Sequence, residues 1–188
     1  MAEGRDWTRS QFERCPDCGA DPSAIADEQL GRELLREVAA WGSALAKVES
    51  LYPKAATVRP ESDVWSALEY ACHVRDVLPV MERRIERMLI EDDPDLGWWD
   101  HEAAVVEDRY NEQVPVSVIE AMSANARSFS ATLGGLRGTD WDRRAQRRAG
   151  EFFTVRGIAR FVLHEVIHHR EDAFHDPSAN DRGTESPS

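Results

Sequence analysis

The sequence predicts an all-α protein that folds as an up-down four-helix bundle. Four long segments repeat apolar residues at three- and four-residue steps, and polar or proline-containing stretches separate them. Apolar seams of this length leave little room for a sheet. The chain has 188 residues, which suits a single domain with a substantial core.

The first predicted helix ends before Pro53, because proline cannot continue a helix. Its apolar stripe recurs at helical spacing and consists of Leu30, Leu34, Val38, Trp41, Leu45 and Val48.

The second predicted helix opens at Ser62 or Asp63. Ser66 and Glu69 have the three-residue spacing of a capping box, which places a helix start close to them. Pro79 lies inside the apolar pattern, and we expect it to kink the helix or to end it early.

The third predicted helix begins near Pro115, which suits a first-turn position, and stops at a pair of glycines. The fourth starts near Thr154, and the preceding "EFFTV" could form a short strand. The predicted domain organisation is an N-terminal extension, the bundle and a disordered polar tail, at residues 1–20, 21–176 and 177–188.

Charge and composition exclude several classes of protein. A formal net charge of −12 and a pI near 4.9 disfavour binding to nucleic acid or to an anionic membrane, since both require a basic surface. No apolar run reaches the roughly 20 residues of a membrane span, and the start of the chain lacks a signal-peptide core. We therefore expect a soluble cytoplasmic protein. Its three cysteines argue against a disulfide framework.

The segment "LHEVIHHRED" contains two overlapping pairs of metal-ligand residues, each four residues apart. They are His164 with His168, and Glu165 with His169. At about 100° per residue, the Glu165 pair falls within the apolar stripe of the fourth helix, whereas the His164 pair points toward the side that carries Gly157. Ligands inside a bundle must face inward, so the helical register favours Glu165 and His169. The alternative is a solvated charged face near a helix end.

A third ligand must come from another helix, and His73 is the candidate. It lies at the margin of the apolar stripe of the second helix, from which its ring could reach the interior. The alternative is an ordinary core histidine. Glu69, one turn earlier, could orient the His73 ring or could simply cap the helix.

Two longer segments, "VWSALEYACHVRD" and "FTVRGIARFVLHEVIHHRED", resemble the DinB-like metal-binding four-helix bundles. In that family a W-S-x-x-E-x-x-x-H element supplies one histidine, and a final helix that ends in an H-H pair supplies two more ligands. The resemblance covers about residues 22–176, and the matching residues are Trp65, Ser66, Glu69, His73, His168 and His169.

The resemblance selects the same ligand pair as the helical register. The family's usual ligands are the second histidine of the H-H pair, here His169, and the residue four before it. That residue is typically histidine, whereas this chain has Glu165, as in the branch that resembles mycothiol-dependent maleylpyruvate isomerase. The predicted metal ligands are therefore His73, Glu165 and His169.

Two imidazoles and one carboxylate leave coordination positions for water, thiol or substrate, which is typical of a catalytic site. The same donors serve zinc and ferrous iron. We expect one divalent ion, zinc in the first place, with nickel, iron or manganese as alternatives. The resemblance implies a low-molecular-weight thiol as a possible cosubstrate.

The "CPDCG" segment, with Cys15 and Cys18, is half of a zinc-ribbon pattern, and the chain has no second C-x-x-C. Either it is a turn with two reduced cysteines, or it completes a metal site with Cys72, a histidine or another subunit. A second open point concerns Trp98, Trp99 and His101, which could roof a substrate pocket or pack on the end of the bundle.

Two functions remain open. One is a metal-dependent enzyme of the thiol-dependent transferase, isomerase or hydrolase type, which acts on a small molecule. The other is a non-catalytic metal- or ligand-binding stress-response protein on the same bundle. A homodimer is compatible with either function.

Overall fold

The computed structural model describes residues 7–148 and 150–174, so the predicted tail at 177–188 lies outside the described residues. Within them, four long helices build the bundle predicted from the sequence, and a shorter helix and a two-stranded hairpin lie in the connections. In chain order the elements are α1 (Asp27–Leu51), α2 (Ala67–Ile90), α3 (His101–Glu107), α4 (Pro115–Gly135), β1 (Arg144–Arg148), β2 (Glu151–Thr154) and α5 (Val155–Phe174). The same part of the chain holds no helix with the length and apolar character of a membrane span.

An up-down bundle would have neighbouring helices that alternate in direction, and the helices of this bundle do not. Helices α1 and α2 lie on one diagonal, and each packs against both α4 and α5. Gly31 of α1 lies against Ser130 of α4, and farther along α1 Gly42 lies against Ile119. Helices α1 and α4 are therefore antiparallel.

Two other pairs of neighbouring helices run parallel. Contacts at successive levels join α2 to α4 and α1 to α5, and these are Arg75–Asn125, Glu82–Thr132, Asp27–Arg156 and Glu37–Arg170. The four helices consequently run up, down, down and up in chain order.

This arrangement is possible because the connection from α2 to α4 runs back along α2. The guanidinium of Arg84 donates a hydrogen bond to the carbonyl of Gly97 at 2.8 Å. Two residues later, the Trp99 ring stacks on His73, 11 residues earlier on α2 than Arg84. Helix α4 can therefore begin at the same end of the bundle as α2.

The predicted capping box is present and moves the start of α2 from Ser62 or Asp63 to Ala67. The side chain of Ser66 accepts a hydrogen bond from the backbone N–H of Glu69, and the Glu69 carboxylate accepts one from the N–H of Ser66. Reciprocal bonds of this kind satisfy two backbone donors that a helix start leaves unpaired.

Helix α2 continues without interruption through Pro79, so an early end of the helix is the wrong prediction. Proline has no N–H to donate to the carbonyl of residue 75, which would otherwise stay unpaired inside the bundle. The side-chain amide of Asn125 on α4 donates to that Arg75 carbonyl at 2.9 Å. A neighbouring helix thus replaces the hydrogen bond that Pro79 cannot make.

The strand expected at "EFFTV" exists as β2 and pairs with β1, which is the basic run "RAQRR". The two strands are antiparallel, and Gly150 between them adopts a positive φ of 83°, a conformation that favours glycine. The guanidinium groups of Arg144 and Arg147 lie over the rings of Phe152 and Phe153. The basic run therefore packs on aromatic rings.

The core lies between the four long helices, with Trp41 and Phe129 among its largest fully buried side chains. The indole N–H of Trp41 donates a hydrogen bond to the carbonyl of Val166 at 2.7 Å, which fixes α1 against α5. Outside the bundle, the short 3-10 helix Trp7–Gln11 packs on α5, where a Cβ at Gly157 would collide with the Gln11 side chain. Helix α5 is therefore covered on its outer face as well.

Candidate metal centre

The structure brings the three predicted ligands together where α2 faces α5. The Nε2 atoms of His73 and His169 each lie 3.3 Å from the same carboxylate oxygen, Oε2 of Glu165. One donor atom from each residue lies within 4.8 Å of the other two. These donors converge on one point, as a single ion would require, and their role as metal ligands stays a prediction.

Helical geometry explains the convergence. Glu165 and His169 are separated by four residues and lie on one face of α5, so both side chains reach toward α2. His73 meets them from α2, and all three residues are at most 8% exposed. Buried donors without a mobile loop among them form a site that is organised before any ligand arrives.

Aromatic rings surround the three donors. Trp99 stacks on His73, with 5.7 Å between ring centroids and 7° between planes, and Trp65 contacts His73 at 5.5 Å. Tyr70 stacks on His169 at 5.3 Å. Of the residues expected either to roof a pocket or to pack on the bundle end, Trp99 and His101 both contact His73. These rings form apolar walls that restrict water around the donors.

Burial and hydrogen bonding set the protonation of the three donors. Burial lowers the pKa of His73 to about 4, so its imidazole is neutral at pH 7, the form that binds metal. Burial alone would raise the pKa of Glu165, but hydrogen bonds with His164, His169 and His73 outweigh burial and hold that pKa well below its ordinary value. Glu165 is therefore a carboxylate.

Asp172 fixes the orientation of His169. Its Oδ2 lies 3.0 Å from Nδ1 of His169, so this nitrogen carries a proton and donates a hydrogen bond to the carboxylate. Burial would lower the pKa of His169, but the hydrogen bonds with Asp172 and Glu165 raise it to about 9. The metal-free ring is therefore protonated at pH 7, with Nε2 facing Glu165. A bound cation would displace the proton from Nε2, while Nδ1 keeps its proton and its hydrogen bond to Asp172.

Two charged side chains near the donors have other partners. Glu69 accepts three hydrogen bonds from Arg59, at 2.6, 2.8 and 3.1 Å, and closes the helix cap, so it does not orient His73. Arg170 pairs with Glu37 of α1 at 2.5 Å. Asp172, which follows Arg170 on α5, is the residue that holds His169.

The other pair on α5 also has partners. His164 and His168 lie with Cys15 and Cys18, and one donor atom from each of the four lies within 4.8 Å of the rest. The sequence left open which residues the "CPDCG" cysteines would meet, and Cys72 is not among them. The signal available in the sequence was the H-x3-H pair, which is offset by one residue from the E-x3-H pair.

The donors of the first group fit a divalent cation. Two neutral imidazoles and a carboxylate are ordinary ligands for zinc or iron, and the carboxylate supplies the negative charge that a buried dication requires. The Nε2 of His73 lies 3.3 Å from Glu165 and is the atom available for an ion there. Its Nδ1 is buried and has no hydrogen-bond partner among the described residues.

Comparisons with known proteins agree with this architecture. A solved structure of YfiT from Bacillus subtilis, described as a probable metal-dependent hydrolase with an unusual four-helix bundle topology, superposes with a TM-score of 0.65 at 18% sequence identity. The match covers 78% of this chain and 86% of YfiT, and at this identity it shows the shared fold. Among curated proteins, no sequence matches this chain. The sequence profile of the DinB superfamily matches residues 38–173, which is more than half of the chain. The protein therefore belongs to the DinB superfamily.

Proposed function

We propose that the protein binds one divalent metal ion through His73, Glu165 and His169 and is a metal-dependent enzyme that acts on a small molecule. The observation that carries this proposal is the convergence of two Nε2 atoms on one carboxylate oxygen, at 3.3 Å each. A buried carboxylate is costly unless a positive charge compensates it, and a cation held between the three donors would compensate Glu165.

The chemistry of the proposed site follows from its donor count. Three protein ligands leave at least one coordination position for water, a thiol or a substrate oxygen. When bound, the metal lowers the pKa of a coordinated water or thiol and polarises a substrate carbonyl. These properties suit a hydrolase or a thiol-dependent transferase or isomerase.

The surrounding residues have distinct tasks. Asp172 keeps the proton on Nδ1 of His169 and thereby presents Nε2 as a ligand. Trp65 and Trp99 limit water around His73, which strengthens electrostatic interactions at the site. Trp99 also lines a cleft of about 390 Å³ with Tyr110 and other residues, but none of the three donors lines this cleft.

The relatives support a metal-dependent reaction without identifying it. YfiT is described as a probable metal-dependent hydrolase, and its fold is shared with this chain. We propose zinc as the metal, with nickel, iron or manganese as alternatives, and a low-molecular-weight thiol such as mycothiol as a cosubstrate. The homodimer and the cytoplasmic location expected from the sequence stay predictions.

Metal content of purified variants tests the site. We expect Glu165→Gln, His73→Ala and His169→Ala each to lose one equivalent of metal while they keep their helical circular dichroism, because a missing ligand costs binding more than folding. Glu171→Gln is the matched control, since this exposed carboxylate lies on the same helix beside Arg170. Equal metal content in Glu165→Gln and the parent protein would reject the assignment.

Thermal shift separates an enzyme from a protein that only binds metal. The metal-free protein is heated with Zn²⁺, Ni²⁺, Mn²⁺ or Fe²⁺, each with and without mycothiol. If the thiol occupies an open coordination position, it should raise the Tm only when metal is present. Stabilisation by metal alone, with no response to thiols or to ester and amide substrates, favours the non-catalytic function.

A further inference from the structure

A second group of donors lies on a different face of α5. Cys15, His164 and His168 are buried, Cys18 is half-buried, and one donor atom from each lies within 4.8 Å of the others. His164 and His168 each precede a residue of the first group by one position, so they project about 100° around the helix from that group. One helix thus contributes two ligand pairs to two separate centres.

The loop that carries the cysteines is built as a tight turn. The N–H of Gly19 donates to the carbonyl of Cys15 at 3.0 Å, and the N–H of Cys15 donates to the carbonyl of Ala20 at 2.8 Å. Gly19 has a φ of +72°, which favours glycine and explains the final residue of "CPDCG". This turn folds Cys15 and Cys18 onto the same side, toward α5.

The donor spacing is close to that of a tetrahedral zinc site. Zn–S and Zn–N bonds of about 2.3 and 2.05 Å at tetrahedral angles place sulfur and nitrogen roughly 3.6 Å apart. Sγ of Cys15 lies 3.7 Å from Nδ1 of His168. The spacings C-x2-C and H-x3-H also belong to the structural Cys2His2 class.

Charge balance points in the same direction. Two thiolates and two neutral imidazoles around Zn²⁺ give a formal charge of zero, which can be buried without a further counterion. A C-x-x-C turn that only formed a disulfide between its own cysteines would not need two buried imidazoles beside the sulfur atoms.

We propose that Cys15, Cys18, His164 and His168 bind a structural zinc ion. Four protein ligands complete the tetrahedron, so this centre has no position for substrate and differs in role from the first. The proposed zinc ion has a structural role, because it holds the N-terminal segment, residues 7–24, against the outer face of α5.

Carboxylates connect the proposed zinc site to the first centre. His168 presents Nδ1 to Cys15 and Nε2 to Asp172, at 3.4 Å from Oδ2, while the same oxygen holds His169. A carboxylate behind a zinc-bound histidine fixes the ring and increases its basicity. Glu165 also lies 3.8 Å from Nδ1 of His164. The structural zinc would therefore hold α5 in the register that the first centre needs.

Cobalt titration of the full-length metal-free protein tests this proposal. We expect two equivalents of Co²⁺ per chain, one of which produces thiolate-to-cobalt charge-transfer absorption. Cys15→Ser and Cys18→Ser should each lose that absorption and one equivalent. Cys72→Ala, the control at the remaining cysteine, should keep both, because Cys72 contacts the Tyr110 carbonyl instead.

This experiment tests the two proposed centres independently of each other. Glu165→Gln should retain the charge-transfer absorption and lose only the other equivalent. Cys18→His serves where a serine variant folds poorly, since it should retain a bound ion with altered absorption. Unchanged absorption in Cys18→Ser would overturn the structural zinc site whatever the result for Glu165→Gln. So would a Cys15–Cys18 disulfide that forms in the zinc-supplemented parent protein once the reductant is removed.

Discussion

Asp172 is the residue that both candidate centres share, because its Oδ2 contacts the rings of His168 and His169. We expect Asp172→Asn to weaken metal binding at the His73 centre by roughly 10- to 100-fold, the usual effect of losing a carboxylate behind a ligand histidine. Helical circular dichroism should not change. The measurement is competition for Zn²⁺ with a chromophoric chelator.

Glu171→Gln is again the control for this substitution. It removes the adjacent carboxylate, which is exposed and pairs only weakly with Arg170 at 3.4 Å. If Asp172→Asn binds metal as tightly as Glu171→Gln does, the carboxylate does not support the centre.

Glu69 should make stability depend on pH in the acidic range. Burial would raise its pKa, but hydrogen bonds from Arg59 and from the Ser66 backbone outweigh burial and lower it. A lowered folded-state pKa stabilises the protein fully above the unfolded pKa of about 4.3, and this stabilisation is lost as the pH falls through the folded-state value. Glu69→Gln keeps the cap but loses the charge.

We therefore expect Glu69→Gln to lower the free energy of unfolding by roughly 1 kcal/mol at pH 7, a discounted value because Arg59 is partly exposed. The difference from the parent protein should close below about pH 4. Urea unfolding at several pH values measures it. Glu91→Gln, which breaks the exposed pair with Arg87, should have little effect at any pH, and a constant difference for Glu69→Gln would contradict the ionic explanation.

Residue periodicity predicted which ligands share a face, but it could not say what each face meets. The positions of Glu165 and His169 on the inward stripe follow from the 100° step of a helix, and the structure places them with His73. The partners of His164 and His168 depend on how a distant segment folds over α5, which no local pattern contains. The sequence therefore offered a histidine as one possible partner of the cysteines, without indicating which one.

At the scale of single elements, α2 shows how a neighbouring helix compensates for proline. Asn125→Ala should leave the Arg75 carbonyl unpaired inside the bundle and cost about 1–3 kcal/mol of stability. In the Pro79→Ala background the loss should be much smaller, because an alanine at 79 donates its own N–H to that carbonyl. Thermal or urea unfolding of the four proteins gives the coupling energy.

Additive effects of the two substitutions would show that Asn125 stabilises the bundle in another way. Asn125→Asp is a useful further variant, since a carboxylate of the same shape cannot donate to the carbonyl.

Element boundaries were predictable where a cap or a breaker marks them. Ser66 with Glu69, Pro53 and Pro115 all lie at or beside real helix ends. Pro79 was misleading because its effect depends on a residue of another helix. The sequence did not predict β1, the strand partner of "EFFT", because β1 consists mostly of basic residues. In the structure its arginines pack over aromatic rings.

At the scale of the whole molecule, the N-terminal segment should gain order from zinc. Among the described side chains of residues 9–24 few apolar ones are buried, so contacts with α5 alone give the segment little independent stability. Hydrogen exchange at the amides of Cys15 and Gly19 should be fast in metal-free protein and slower by at least tenfold with zinc. In Cys18→Ser zinc should not slow it, and equal protection with and without metal in the parent would contradict the role of the ion.

The bundle itself was predictable from apolar periodicity, but the directions of its helices were not. Direction depends on whether a connection turns at once or travels the length of the bundle, and residues 91–114 contain no strong signal for either. Only contacts such as Arg84 with Gly97 show that this connection travels back along α2.

That returning connection also determines the order in which the chain can fold. Helices α1 and α2 are successive in the chain but diagonal in the bundle, so they cannot form an early helical hairpin. During synthesis the apolar stripe of α1 gains its partners only after α4 and α5 have been made. Long-range pairing of this kind slows folding and prolongs the exposure of apolar surface. A nascent chain that ends after α2 would therefore expose the apolar stripe of α1 and be prone to aggregate.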